Sequence, residues 1–145
     1  KLDYARQFGA THAVLAGDDA VAAVMEASGG WGVDYSFDVT GKPAVMEQAY
    51  AATRRGGTAC IIGIGPYTES FPLNACGFPA DAKTVIGCMY GNANFRVDMP
   101  NLLELYLARR LDLDAMVTRT YAIDDAPQAF DDLRAGVNAR GVIVF

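Results

Sequence analysis

The sequence predicts an α/β fold in which helices pack on a mostly parallel β-sheet. Short apolar runs alternate along the chain with segments of helical periodicity, an order typical of parallel strands joined by right-handed crossover helices. The run at 56–66 is short, apolar and without polar alternation, as expected for a strand buried on both faces. It ends at Gly63 and Gly65, and ligands of open α/β sheets bind beyond the carboxyl ends of strands. The same glycines are compatible with a simple strand end that allows close packing, and the run alone leaves both interpretations open.

Composition and charge limit the classes of function. The chain has 145 residues, the usual size of one domain, so one core is expected. Hydrophobic residues make up 52%, yet no apolar run approaches the roughly 18 residues of a membrane span. The net charge of −5 is not offset by a basic patch, which argues against nucleic acid as the main partner. The adjacent basic pairs Arg54-Arg55 and Arg109-Arg110 are placed at predicted helix ends, where the helix dipole explains them.

The cysteines and the histidine do not form a metal-binding pattern. Cys60, Cys76 and Cys88 are odd in number, widely spaced and flanked by small or apolar residues. This pattern favours buried free thiols in a reducing compartment, and therefore a cytoplasmic protein. His12 is the only histidine, and there is no Cys-x-x-Cys pair, so a zinc site within this chain is not expected.

The first half of the sequence predicts three helices and two strands. Asp18 is suited to cap the second helix, and Gly9 is suited to end the first in the left-handed conformation. Thr40-Gly41 predicts a turn, after which Pro43 lies in the first turn of the third helix. The predicted elements are helices over 1–8, 19–28 and 43–54 and strands over 12–15 and 33–39.

The second half continues the alternation. A strand is predicted over 58–64, followed by a loop-rich stretch, a short segment over 75–82 and a strand over 83–91. Helices are predicted over 98–110 and from Asp124 to Gly136, and the chain closes with an extended segment over 116–123 and a strand over 142–145. The residues expected to face inward from these helices are Leu102, Leu103, Tyr106, Leu107, Ala129, Phe130 and Leu133.

Four segments, in their order and spacing, carry a family resemblance. They are Lys-Leu-x-x-Ala-Arg-x-Phe-Gly-Ala-Thr-His at 1–12, Gly-Val-Asp-Tyr-x-Phe-Asp at 32–38, Arg-x-Gly-Gly-x-x-x-x-x-Gly at 54–63 and Phe-Asp-Asp-Leu-Arg-Ala-Gly at 130–136. Together they resemble the zinc-type, medium-chain alcohol dehydrogenases over nearly the whole chain. The resemblance implies that residues 1–145 are an incomplete dinucleotide-binding domain, and that the catalytic zinc domain lies outside this chain.

The resemblance also implies a partial doubly wound, Rossmann-like sheet. In the strand order 3-2-1-4-5-6, the predicted strands at 12–15, 33–39, 58–64 and 85–90 are strands 3 to 6, and the first two strands are missing. The strand at 12–15 is then left without an obvious partner, and the strand at 33–39 has an unpaired edge. The glycine-rich phosphate turn, the acidic residue for the adenosine ribose and the zinc ligands lie upstream in that family, and this chain contains no Gly-x-Gly-x-x-Gly.

Residue by residue, the resemblance implies a nicotinamide-facing rim with no catalytic residue and no metal ligand in this chain. The ends of three strands contribute to it. The adenosine-side ribose and the dinucleotide lie against the first, the backbone of the second holds the nicotinamide and its ribose, and the backbone of the third contacts the carboxamide. In that order their residues are Val39, Thr40 and Gly41, then Ile62, Gly63 and Ile64, then Cys88 and Tyr90. Lys1 matches a lysine near the adenosine ribose, and Arg140 matches an arginine that reaches the pyrophosphate.

Each of these roles has a structural alternative. Val39, Ile62 and Ile64 are apolar and also suit a core. Lys1 also suits a solvated helix end, and Arg140 an exposed position beside a turn.

Two functions from different classes follow. The first is the cofactor half of an alcohol dehydrogenase, in which hydride passes between an alcohol or aldehyde and NAD or NADP, with a zinc ion held by the rest of the enzyme. The 145-residue chain alone is then expected to be inactive. The second is a non-catalytic, truncated dinucleotide fold that acts through protein contacts. The resemblance further implies a homodimer or homotetramer joined through the strand edge at 85–90, where Val85, Ile86 and Met89 have only Lys83 as a guarding charge.

Overall fold

The computed structural model describes residues 1–145 and divides them into two compact units. The sheet unit comprises Leu2 and Gly9–Ala93, and the terminal unit comprises Lys1, Asp3–Phe8 and Asn94–Phe145. The helices are α1 (Leu2–Gln7), α2 (Ala20–Ala27), α3 (Pro43–Ala52), α4 (Gly77–Asp81), α5 (Phe95–Leu107) and α6 (Ala126–Ala135). The strands are β1 (Val33–Asp38), β2 (Thr53–Ile61), β3 (Thr84–Gly87), β4 (Arg119–Ala122) and β5 (Gly141–Val144). None of the helices has the length and apolar character that crossing a bilayer requires.

The sheet unit contains a three-stranded parallel sheet in the order β1-β2-β3. Its register aligns Phe37 with Cys60 and Cys60 with Ile86. Pro43 lies in the first turn of α3 as predicted, because its fixed φ suits a helix start. The α/β class and the parallel order of these three strands are confirmed.

The predicted strand at 12–15 is absent. These residues have no regular secondary structure and pair with no neighbouring strand, and Leu15 is 77% exposed. A strand is stabilised by a partner that satisfies its N–H and C=O groups, and no strand of this chain offers one. The apolar pattern of these residues suits a strand, but the chain provides no second strand with which they could pair.

Strand boundaries also differ from the prediction. β2 begins at Thr53, so Arg54 and Arg55 belong to a strand and not to a helix end. Between two aligned pairs β1 advances by two residues and β2 by five, which makes a bulge that contains Gly56 at φ +70°. β2 ends at Ile61 and β3 at Gly87, so the residues beyond them form turns.

The terminal unit combines α1, α5 and α6 with a two-stranded parallel sheet of β4 and β5. α5 begins at Phe95, three residues before the prediction, and Asp124 lies in a short 3₁₀ turn and not at a helix cap. Gly136 ends α6 at φ +65°, as predicted. The residues expected to be buried on these two helices are mostly exposed, by 46% to 71%; they are Leu102, Leu103, Leu107, Phe130 and Leu133.

The buried residues are few and are concentrated around β2. Met46, Ala52, Ala59 and Cys60 form the apolar core of the sheet unit. Two of its most deeply buried side chains are polar, Thr53 and Asp38, at 2% and 1% exposure. Since a buried polar group must find hydrogen-bond partners, these two side chains indicate where the backbone is most tightly organised.

Candidate functional site

The turn after β1 is built around the carboxylate of Asp38. Its Oδ1 accepts hydrogen bonds from the Thr40 backbone N–H at 3.0 Å and from the Thr40 hydroxyl at 2.7 Å. Its Oδ2 accepts from the Gly41 backbone N–H at 3.1 Å. An aspartate that bonds backbone two and three residues ahead closes a tight turn. Asp38 therefore has a structural task, and its oxygens are already engaged.

The turn after β2 is joined directly to the turn after β1. The Asp38 carbonyl accepts from the backbone N–H groups of Ile62 at 2.8 Å and Gly63 at 3.0 Å. The same residue thus holds the first turn through its side chain and the second through its backbone. We call residues 38–41 and 61–65 the turn pair.

Three glycines allow the turn pair to close. Gly41 has φ +73°, and a Cβ there would overlap the Ile64 carbonyl. A Cβ on Gly63 would overlap the Gly41 backbone nitrogen, and a Cβ on Gly65 would come 2.6 Å from the Gly41 oxygen. The space that a side chain would need is filled by protein backbone, so at these positions the absence of a side chain serves turn-on-turn packing.

The third strand end lies alongside this pair. The Cys88 N–H donates to the Ile61 carbonyl at 2.9 Å, which extends the β2–β3 ladder by one bond. Tyr90 follows in a 3₁₀ turn at φ +48°. Val39, Ile64 and Tyr90 are exposed by 70%, 73% and 87%. The core alternative is therefore wrong for Val39 and Ile64, whereas Ile62 is half-buried.

The hydrogen bonds of the turn pair leave specific backbone groups free. The N–H groups of Ile62 and Gly63 are used, but the Ile64 N–H and the Ile62 and Gly63 carbonyls have no partner. The Cys88 N–H is used, and its carbonyl is free. The turn pair with Cys88 thus offers both a donor and acceptors to a planar amide.

The thiol of Cys60 lies beneath this site. Burial raises the pKa of the Cys60 thiol, and the neighbouring Cys88 thiol raises it further. Because only the thiolate is a strong nucleophile, Cys60 is a packing residue. Cys60, Cys76 and Cys88 are all free, but only Cys60 is buried. Cys88 is half-buried and Cys76 is exposed, so the prediction of a buried thiol is wrong for Cys76.

The acidic residues here do not form a metal site. Asp34 is paired with the Arg54 Nε at 2.5 Å, and Asp38 is engaged in the turn pair. No group of three or more His, Cys, Asp or Glu side chains in the chain could hold a metal ion. The donor set does not fit zinc, so no chemical step is assigned to a metal bound by this chain.

The two predicted cationic residues lie in the terminal unit. The Arg140 side chain is exposed and forms no ion pair or hydrogen bond, whereas the Arg140 backbone bonds to Thr118. Lys1 is exposed at the start of α1, and its Nζ is 3.2 Å from where a Cβ of Gly136 would lie. Neither side chain forms a hydrogen bond or an ion pair within the chain.

A buried polar network organises the same unit. Asp132 Oδ2 accepts from Tyr121 Oη at 2.7 Å and from Arg119 Nη1 at 2.6 Å, and its Oδ1 accepts from Gln128 Nε2 at 2.8 Å. Asn138 Nδ2 donates to Tyr121 Oη at 2.7 Å. The bonds from Tyr121 and Gln128 lower the pKa of Asp132, and burial raises the pKa of Tyr121, with the bond to Asp132 acting in the same direction.

This network predicts a pH dependence of stability. The pKa of Asp132 is lower in the folded state, so its contribution is present above the unfolded value of about 3.9 and is lost as pH falls through the folded pKa. The pKa of Tyr121 is raised, so its contribution is present below the unfolded value of about 10 and is lost as pH rises through the folded pKa. Thermal unfolding followed by circular dichroism should show the acid loss weakened in Asp132→Asn. Asp131→Asn, which removes only an exposed pair with Arg134, should retain it. Identical acid limbs in wild type and Asp132→Asn would contradict this assignment.

A zinc-binding dehydrogenase family model matches residues 1–108, more than half of the chain. The chain belongs to the zinc-binding dehydrogenase family. It is 37% identical to a putative alcohol dehydrogenase D of Mycobacterium tuberculosis and 35% identical to an NDMA-dependent alcohol dehydrogenase of Amycolatopsis methanolica. Each match covers 99% of this chain and 40% of the relative.

Solved structures of the family have the same fold. The benzyl alcohol dehydrogenase of Acinetobacter calcoaceticus matches with a TM-score of 0.88 at 28% identity, over 98% of this chain and 39% of that one. The alcohol dehydrogenase of Aeropyrum pernix matches with a TM-score of 0.85 at 25% identity, over 99% of this chain and 40% of that one. The resemblance to zinc-type alcohol dehydrogenases is confirmed, and the chain spans about two fifths of the length of these relatives.

Sequence reasoning missed the residues that support the site. Asp38 is assigned no role by the family resemblance. The signal available was the order Asp38-Val39-Thr40-Gly41 at a strand end, which is typical of a side-chain-closed turn. Gly141 likewise leaves space for the ring of Tyr121, which lies 2.8 Å from where a Cβ would be.

Proposed function

We propose that this chain forms the nicotinamide side of the dinucleotide site in an NAD(P)-dependent, zinc-type alcohol dehydrogenase, which transfers hydride between an alcohol or aldehyde carbon and the nicotinamide ring. The observation that carries the proposal is the turn pair at the carboxyl ends of β1 and β2, where ligands of parallel sheets bind. Family membership and relatives named as alcohol dehydrogenases support it.

The free backbone groups suit a nicotinamide carboxamide. That amide carries one N–H₂ donor and one carbonyl acceptor. The Ile64 N–H and the carbonyls of Ile62, Gly63 and Cys88 offer the complementary set, with the Cys88 N–H already used within the ladder. Ile62, Gly63 and Ile64 thus act through backbone atoms, and Cys88 through its carbonyl.

The exposed apolar side chains suit the flat faces of the same ligand. Val39, Ile64 and Tyr90 present apolar surface that a bound dinucleotide would cover, and covering it excludes water from the ring. Thr40 and Gly41 provide the turn against which the dinucleotide lies. The nicotinamide supplies hydride acceptance or donation when bound.

Two cations complete the proposed contacts. Arg140 is assigned to the pyrophosphate, because a guanidinium can bind phosphate oxygens through paired hydrogen bonds. Lys1 is assigned to the adenosine ribose. The proposal covers NAD and NADP alike, with a cytoplasmic location that the three free thiols favour.

The 145-residue chain alone is expected to show no alcohol dehydrogenase activity. It holds no zinc donor set and no Gly-x-Gly-x-x-Gly turn. The pure chain and the full-length enzyme would be assayed for alcohol-dependent nicotinamide reduction with zinc present. Turnover by the pure chain would contradict this expectation. A full-length protein that neither binds NADH nor oxidises alcohols would favour the non-catalytic alternative.

The outer edge of β3 is proposed to join subunits of the full-length protein. Ile86 in β3 and Met89 just beyond its end are exposed by 43% and 58%. The sequence suggested that Lys83 guards this edge, but it does not. Its Nζ lies 4.6 Å over the Tyr50 ring and donates to the Tyr50 carbonyl at 3.1 Å. An unguarded apolar edge favours strand pairing with another chain.

Sedimentation at micromolar concentration tests this contact. The full-length protein should run as a dimer or tetramer, and Ile86→Lys should shift it toward smaller species. Trp31→Lys, at a side chain that is 80% exposed outside β3, should not. A monomeric wild type would exclude the β3 interface.

A further inference from the structure

The loop at 138–141, which carries Arg140, is fastened by the side chain of Thr118. The Thr118 Oγ1 accepts from the Ala139 N–H at 3.1 Å and from the Arg140 N–H at 3.4 Å. The Arg140 carbonyl accepts from the Thr118 N–H at 3.0 Å and from its hydroxyl at 3.3 Å. One threonine therefore holds the backbone of Arg140 on both sides of its Cα.

The buried network fastens the same loop at a second point. Asn138 Nδ2 donates to Tyr121 Oη at 2.7 Å, and that hydroxyl donates to Asp132. A Cβ on Gly141 would lie 2.8 Å from the Tyr121 ring and 3.2 Å from Asn138 Nδ2. Tyr121 thus packs against the far end of the loop and anchors its near end, and it is itself only 5% exposed.

The side chain at the centre of this fastened loop has no partner. The Arg140 guanidinium is exposed and forms no hydrogen bond or ion pair. Because the Arg140 backbone is already held, only its side-chain rotamers must be restricted when a ligand binds. This lowers the conformational entropy cost of binding.

We propose that Thr118, Tyr121 and Asn138 are positioning residues that hold Arg140 ready for the dinucleotide pyrophosphate. This inference rests on the proposed function. The three residues do not contact the ligand; they set the direction in which the Arg140 side chain leaves the loop. Thr118 acts directly on the Arg140 backbone, and Tyr121 acts through Asn138 and through the space beside Gly141.

The test is a double-mutant cycle in the full-length enzyme. Thr118→Val removes the hydroxyl with nearly the same shape, and Tyr121→Phe removes the hydroxyl that Asn138 bonds. Each should raise the dissociation constants of NADH and of ADP-ribose, which retains the pyrophosphate, about threefold to tenfold. The kcat at saturating dinucleotide should stay within about twofold, since the reacting atoms are not touched. In an Arg140→Ala background the same substitutions should have no further effect.

Two controls separate positioning from general stability. Thr118→Ser keeps the hydroxyl and should bind NADH as the wild type does. Asp131→Asn removes an exposed pair on α6 and should also leave binding unchanged. Losses that are equal in the Arg140 and Arg140→Ala backgrounds, or no loss in Thr118→Val and Tyr121→Phe, would overturn the positioning role while leaving the proposed function intact. A wild type that does not bind NADH would overturn both.

Discussion

Gly63→Ala should abolish dinucleotide binding and destabilise the sheet unit. The added Cβ would overlap the Gly41 nitrogen, lie 2.7 Å from the Gly41 Cα and lie 2.8 Å from Asp38 Oδ2. The obstructing atoms are mostly backbone, which cannot rotate away as a side chain can. Overpacking costs about 1–3 kcal/mol where the structure can yield, so we expect a loss of about 3 kcal/mol or more in the free energy of unfolding.

Gly87→Ala is the matched control for this substitution. Gly87 also ends a strand of the same sheet, but a Cβ there would meet nothing within 4 Å. Urea unfolding and NADH fluorescence titration of the full-length enzyme would compare the two variants. A Gly63→Ala protein as stable as Gly87→Ala, with unchanged NADH affinity, would show that the turn pair tolerates a side chain and would remove the argument for its tight closure.

Arg140→Ala should weaken dinucleotide binding by about 1.5–3 kcal/mol, the usual value of a charge-assisted hydrogen bond. This corresponds to a dissociation constant raised roughly 10-fold to 150-fold. The melting temperature without cofactor should be nearly unchanged, because the Arg140 side chain is exposed and forms no hydrogen bond or ion pair. Isothermal titration with NADH and a thermal melt of each protein would measure both quantities.

Arg134→Ala controls for the loss of one positive charge in the same unit. Arg134 pairs with Asp131 at 2.9 Å, and both side chains are exposed. An exposed pair contributes little, so this variant should bind NADH as the wild type does. Equal weakening in the two arginine variants would mean that general charge, and not a contact from Arg140, accounts for the effect.

The parts of the fold that depend on local signals were predictable. β1 alternates, α3 begins at Pro43, and Gly136 ends α6, each for a reason contained in a few neighbouring residues. The predicted strand at 12–15 depended on a partner outside its own sequence, and the structure provides none. Pairing is a property of two segments, and a pattern in one of them cannot reveal it.

The prediction of burial on α5 and α6 was wrong for a similar reason. The helical spacing of Leu102, Leu103 and Leu107 was correct, since α5 spans them, yet the face they form is exposed. A periodic apolar pattern shows that a face is suited to packing. It does not show that this chain contains the surface to cover it.

At the candidate site, the sequence indicated the glycines and strand ends but not the contacts and hydrogen bonds that hold them in place. Gly41 and Gly63 stood out as glycines at strand ends, whereas their mutual contact depends on how two turns meet in space. The Thr118 hydroxyl and the Ala139 N–H lie 21 residues apart in the chain and become linked only when β4 and β5 pair in parallel. No pattern within a few neighbouring residues predicts such long-range hydrogen bonds.

Hydrogen exchange of the full-length protein with and without NADH tests the central claim most directly. The Ile64 N–H has no partner in the structure, so it should exchange fast in the free protein and markedly slower with NADH bound. Peptides covering 38–41 and 61–65 should both be protected, whereas a peptide covering 109–116 should be unaffected. NADH binding that leaves the exchange of both turns unchanged would contradict the assignment of the turn pair to the nicotinamide site.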